Sequence, residues 1–99
     1  MPLQVSVRFF TSLRELTGKK EGTLKFRDGE TVTVDKVLKR MAERYGKSFV
    51  EYVYDSKTGE VKGFLQFLVN GRSASTLSGL GTKLADGDAL AIIPPVGAG

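Results

Sequence analysis

The apolar run Ala89-Leu90-Ala91-Ile92-Ile93 leads directly into Pro94-Pro95-Val96-Gly97-Ala98-Gly99. A core strand is therefore expected to leave its sheet through two stiff residues into a segment with almost no side-chain bulk. The prolines keep the exit extended and cheap to order, while Gly97 and Gly99 permit close backbone approach. Ala98 adds one methyl group and loses easy access to positive φ. The chemistry open to such a segment is that of its α-carboxylate, which is ionised at neutral pH because its reference pKa is about 3.3–3.7. It is a poor acyl donor until one oxygen becomes a good leaving group. Six residues from Pro94 to Gly99 span about 20 Å when extended, enough to enter a narrow channel while a folded body stays outside. Gly99 is the candidate reactive residue, and Pro94, Pro95, Val96, Gly97 and Ala98 form the candidate inserted tail.

Composition limits what else the chain can do. It has no cysteine and no histidine, which removes disulfides, thiolate nucleophiles, cysteine-based metal sites and the usual Ser-His or Cys-His pairs. No metal site is expected, and any catalysis is expected from a partner. The charge of +4 arises from 15 basic and 11 acidic residues with interspersed signs, a weak footprint for nucleic acid, so no nucleic-acid partner is expected. No apolar run approaches the roughly 18 residues of a membrane span, and the first residues do not resemble a leader. The expectation is a cytoplasmic protein without a membrane partner.

A tail of this kind needs a rigid body to present it. Ninety-nine residues with 40% hydrophobic content suit one domain, expected over residues 1–93 with 94–99 as an extended flexible tail. Leu3, Val5, Val7 and Phe9 alternate with polar residues and predict a first strand. Ser12–Thr17 reads as a short helical or irregular turn, and Leu24 and Phe26 mark a second strand. Val34, Val37, Leu38, Met41, Ala42 and Tyr45 fall on one stripe of a helix over residues 34–45, with Thr33 as N-cap and Gly46 as a left-handed terminator. Val50–Tyr54 and Phe64–Val69 read as further strands, the first with an irregular alternative. Asn70-Gly71 turns the chain, and Asp86-Gly87-Asp88 precedes the final strand, Ala89–Ile93. Between these turns, Leu77, Leu80 and Leu84 are expected to point inward. The sum is an α+β fold, one helix on one face of a small twisted sheet.

Other candidates carry less. In Phe64–Val69 one alternating set is expected to face the helix, leaving Phe64 or Leu68 on the open surface as a partner-docking patch; packing of both within the domain is the equal alternative. Gly79-Leu80-Gly81-Thr82-Lys83 lacks the spacing of a phosphate-binding loop. Asp86 and Asp88 are better explained by turn formation than by metal binding. Arg8, Arg72 and Lys83 could ring an acidic docking surface on a partner, and Lys19 and Lys20 could accept a modifier, but the expectation is ordinary solvated charges and ordinary exposed lysines.

The segments Val7-Arg8-Phe9-Phe10, Leu13-Arg14-Glu15-Leu16-Thr17-Gly18, Thr33-Val34-Asp35-Lys36-Val37-Leu38, Val69-Asn70-Gly71, Asp86-Gly87-Asp88 and Ile93-Pro94-Pro95-Val96 together resemble the small subunit of molybdopterin synthase and the archaeal ubiquitin-like small modifiers. The likeness extends over almost the whole chain and is weakest from Lys47 to Gly63. It implies a ubiquitin-like β-grasp fold, a mixed sheet with one main helix. It also implies a sulfur carrier that is not itself an enzyme and binds no cofactor. Its terminal glycine, Gly99, would be adenylated by a ubiquitin-activating-type adenylyltransferase that uses ATP, then converted to a thiocarboxylate. Sulfur would pass to a pterin precursor at the molybdopterin synthase large subunit. In the modifier branch a target-protein lysine attacks the activated carbonyl instead. The family pattern ends on two adjacent glycines, and Ala98 departs from it. A non-catalytic β-grasp interaction domain whose tail is never activated is the third reading.

Overall fold

Alternation in the first seven described residues decides how the sheet sits. The computed structural model describes residues 3–94. In β1 (Leu3–Phe9) the side chains of Val5, Val7 and Phe9 are fully buried, while Gln4 and Arg8 face solvent. β2 (Glu21–Phe26) runs antiparallel to it with Val5 opposite Leu24, so the buried rows coincide. Between them the short helix α1 (Ser12–Thr17) buries Leu13 and ends at Gly18, whose φ of 74° is the left-handed conformation glycine adopts without strain.

The main helix, α2 (Val34–Tyr45), has the expected bounds. Thr33 is extended and its Oγ1 accepts from the Lys36 backbone N–H at 3.2 Å, satisfying one donor that the first turn leaves unpaired. Val34, Val37, Leu38 and Met41 are completely buried against the sheet. The helix lies close to β2 at Gly22, where an added Cβ would already touch Met41 and Phe9 at 3.4 Å and the Tyr45 hydroxyl at 3.5 Å. Arg44 also ties the helix to that strand, its Nη1 donating to the Thr23 carbonyl at 3.1 Å.

Gly46 has positive φ but ψ of −149°, which is not the expected left-handed cap; the chain turns sharply into a further helix, α3 (Lys47–Val53). This corrects the strand expected over Val50–Tyr54. Phe49 and Val53 lie four residues apart and are both fully buried, so helical spacing governs this segment. Its Val and Tyr content suggested a strand because β-propensity reports fit to a half-buried surface more than backbone preference. Only Tyr54 keeps an extended pairing, an isolated bridge with Val61. Among the described residues the helical layer thus consists of the one main helix expected, α2, with the shorter α1 and α3 beside it.

The strand expected from Phe64 is shorter. Leu65 N–H donates to the Lys62 carbonyl in a turn, and β3 covers Gln66–Val69. β4 (Arg72–Ser73) pairs back on it through Asn70-Gly71, and two 3-10 turns, Ala74–Thr76 and Gly79–Gly81, follow. The expectation that Leu77, Leu80 and Leu84 all point inward holds for Leu84 alone. Leu77 is 42% and Leu80 36% exposed, because the 3-10 turns use Ala74 as their buried anchor. β5 (Ala89–Ile93) completes a mixed sheet of order β2-β1-β5-β3-β4, parallel to β1 and antiparallel to β3. The helices cover one face and leave the other open, the α+β arrangement expected.

Candidate functional site

β5 is the element that would carry the tail, and it lies in the middle of the sheet. Leu90 and Ile92 are fully buried between Val7 and Phe9 on one side and Val69 and Phe67 on the other. Ala89, Ala91 and Ile93 alternate onto the open face.

The entry to β5 is fixed by side chains from two segments, the turn after β3 and the turn before β5. Asn70 adopts φ of 50° and Gly71 φ of 86°, the pair of positive values a two-residue hairpin turn requires. The Asn70 carboxamide then does a second task. Its Nδ2 donates to Asp88 Oδ1 at 3.0 Å, and its Oδ1 accepts from the Ala89 N–H at 2.9 Å. Asp88 Oδ2 accepts from the Ala85 N–H at 2.7 Å, and Asp86 Oδ1 accepts from the Gln4 N–H at 2.8 Å. Asp88 therefore spends its carboxylate on the turn, as expected from the sequence, whereas Asp86 uses its carboxylate to tie that turn to β1. Among the described residues no group of three or more acidic side chains gathers into a possible metal site.

The exit is different. Ile93 pairs with Gln66 and is followed by half-buried Pro94, which has no N–H to continue a ladder. Pro94 is therefore placed at the root of the candidate tail. Pro95, Val96, Gly97, Ala98 and Gly99 lie outside the described residues.

Beside this exit lies the candidate docking patch. Leu65, Phe67 and Val69 are buried, so the alternate set is the outward one. Leu68 is half-buried on the open face opposite Ala91, and Phe64 is 51% exposed in the turn before β3. The Lys62 ammonium sits 5.8 Å from the Phe64 ring centroid while donating to the Glu51 carbonyl at 2.8 Å, which holds a cation over the ring. Leu68, Ala91 and Ile93 thus stand together on the open face at the tail's root, each half-buried, with Phe64 in the turn two residues before Gln66. Ala91 and Ile93 were not singled out from the sequence, where they are simply part of the core run; only the pairing register places them outward. Arg8, Arg72 and Lys83 stand on β1, on β4 and on a bridge to Thr33, three different elements. Gly79–Gly81 forms a 3-10 turn.

Two titrations are displaced from their ordinary values. The Lys36 ammonium bonded to Glu30, together with the Arg27 N–H donating at 3.0 Å, holds the Glu30 carboxyl below its ordinary 4.5. Burial, followed by the charge of Asp35, pushes the Tyr54 phenol up.

The ThiS family model matches residues 7–99, a span that holds every strand but the first residues of β1 and includes the candidate tail. The chain belongs to the ThiS family. Small archaeal modifier protein 3 of Haloferax volcanii is 35% identical over 97 residues, covering 98% of this chain and all of that protein. The small archaeal modifier protein 1 of Methanosarcina acetivorans is 33% identical in its solution structure, with a TM-score of 0.77 over 100% of this chain and 99% of that one. A chain of the BexX/CysO complex of Amycolatopsis orientalis is 26% identical, with a TM-score of 0.72 over 96% and 99% of the two chains. The fold is accordingly the ubiquitin-like β-grasp, and this ThiS-family chain is a small carrier or modifier protein rather than a catalyst. Among the described residues no helix is long and apolar enough to cross a membrane.

Proposed function

We propose that this ThiS-family protein is a cytoplasmic sulfur carrier whose Gly99 carboxylate is the chemical handle. A ubiquitin-activating-type partner binds ATP; the carboxylate oxygen attacks the α-phosphate, pyrophosphate leaves, and the carbonyl becomes an acyl-adenylate. A sulfide-level nucleophile then displaces AMP and leaves a thiocarboxylate, which delivers sulfur to a pterin precursor at the molybdopterin synthase large subunit. ATP belongs to the partner, and the chain itself holds no cofactor. Pro94 and Pro95 stiffen the tail, and Val96, Gly97 and Ala98 thread it into the partner's channel. Phe64 in its turn and Leu68, Ala91 and Ile93 on the open face dock the partner.

The observation that carries this reading is the anchoring of β5: a strand paired on both sides and fixed at its entry ends on Pro94 beside half-buried apolar residues of the open face. Such a mount gives the tail a fixed origin, which lowers the ordering cost of insertion. ATP–pyrophosphate exchange with the activating enzyme of the same cells tests it. The intact chain supports exchange, deletion of Gly99 abolishes it, and equal exchange by both overturns the reading. Ala98→Gly in the same assay reports whether the extra methyl slows entry into the channel.

The similarity to two archaeal modifier proteins favours a second reading, in which a target-protein lysine takes the activated carbonyl. Recovery from cells of a lysine peptide branched with the Gly99 tail selects it over sulfur delivery. A tail never activated in either way would leave a non-catalytic interaction domain.

A further inference from the structure

The cations of this protein are not paired evenly. On the helical side Lys36 pairs with Glu30, Lys39 with Asp35 and Lys47 with Glu51. At the end of the sheet where β5 leaves, Arg8, Arg14 and Lys20 line a recess of about 230 Å³ together with Phe9, Phe10 and Glu21. Among the described residues no ion pair or side-chain hydrogen bond engages any of these three cations.

The fold gathers them from three elements. Arg8 is the last outward residue of β1 and stands opposite Glu21 in register. Arg14 is carried on α1, which Gly18 closes by donating its N–H to the Arg14 carbonyl at 2.9 Å. Lys20 is held by its carbonyl, which accepts from the Phe9 N–H at 2.9 Å. Phe9 lies beside Ile92 in the parallel pairing of β1 and β5, so Phe10 is level with Ile93 at the root of the tail. Three positive groups face one carboxylate there, around an incompletely covered aromatic ring.

Like charges that outnumber their counter-charge repel one another, and this cluster is relieved when a surface of opposite sign closes over it. Any protein that takes the tail must approach this end of the sheet. We propose that the recess formed by Arg8, Arg14, Lys20 and Phe10 is the docking point for an acidic segment of the tail-activating partner, whose Asp or Glu side chains complete the charge balance. This rests on the reading of Gly99 as the activated residue. The recess is open and its cations come from exposed side chains, so it acts chiefly on encounter and orientation.

The test is ATP–pyrophosphate exchange with the activating enzyme, varying the carrier concentration at low and high salt. The double exchange Arg14→Glu/Lys20→Glu raises KM for the carrier by roughly tenfold or more at low salt, with kcat nearly unchanged, and the difference shrinks as salt screens the charges. Lys39→Glu/Lys47→Glu, on the helical side, serves as the control and leaves KM within about twofold of the intact chain. If the reversed pair does not fold, Arg14→Gln/Lys20→Gln gives a smaller shift in the same direction. An unchanged KM in the recess variant, or an equal rise in the control, overturns the proposal. Exchange that requires Gly99 but ignores the recess defeats this inference alone, whereas exchange that ignores Gly99 defeats the functional reading and this inference with it. Binding of a single-stranded oligonucleotide that the recess variant loses, with activation unaltered, assigns the cations to nucleic acid and also overturns it.

Discussion

Strand β5 begins in a mesh of hydrogen bonds and ends on a proline. At its entry, Asn70, Asp86 and Asp88 bond the backbone of Gln4, Ala85 and Ala89, joining the first strand, the hairpin turn and the last strand. At its exit there is Ile93 opposite Gln66, then Pro94, an exposed phenylalanine and three cations without partners in the described residues. Polar groups at the entry are spent on the fold; the three cations Arg8, Arg14 and Lys20 at the exit are not. The difference teaches how a small domain divides its labour: one end of a central strand is a mount, and the other is a presenting edge whose surface remains available to a second protein.

The comparison breaks if the interior of β5 tolerates truncation. Leu90→Ala removes a fully buried side chain from the middle of the strand and is expected to destabilise the protein by about 2–5 kcal/mol in denaturant unfolding. Deletion of Gly99 is expected to leave that unfolding curve unchanged while abolishing exchange. Stability and activity should thus separate along a single strand. Asp88→Ala sharpens the comparison at the entry. It leaves the Ala85 N–H and the Asn70 carboxamide without their acceptor and is expected to cost about 1–3 kcal/mol, again read by denaturant unfolding. Phe64→Ser at the exit is expected to change stability by less than about 0.5 kcal/mol while raising KM in the exchange assay, because the ring is half exposed.

Smaller effects come from the helical side, which belongs to neither end. Thr33→Ala removes the N-cap of α2 and should lower stability by about 1 kcal/mol. The smallest is a pH effect. Glu30 has a folded pKa below its ordinary 4.5, so the stability it contributes is present above pH 4.5 and is lost as pH falls through the folded value. Glu30→Gln is expected to flatten that part of the acid unfolding profile, and NMR titration of the Glu30 carboxyl checks the direction of the shift.

What could be read from the sequence follows from how locally each feature is encoded. The bounds of β1, α2 and β5 were legible because alternation or a helical stripe runs through each, and the Thr33 cap because its oxygen reaches only to Lys36. α3 was not, since two buried residues among Val and Tyr fit either period in so short a run. Leu77 and Leu80 misled for a related reason: inward direction in irregular backbone follows from no period at all. Asn70 was legible as a turn residue, but its bond to Asp88 joins positions 18 apart, and only the pairing of β3 with β5 brings them together. Arg8 and Lys20 likewise read as ordinary surface charges until the fold brings them together with Arg14 of α1 around one recess.

The central claim concerns two oxygen atoms of one residue. Mass spectrometry of the peptide ending at Gly99, after incubation of the intact chain with its activating enzyme, ATP and a sulfide donor, tests it most directly. The account predicts an ATP-dependent gain equal to replacing one of those oxygens by sulfur, confined to that peptide. ATP consumption with the Gly99 peptide unaltered, or sulfur found on any other peptide, would contradict it.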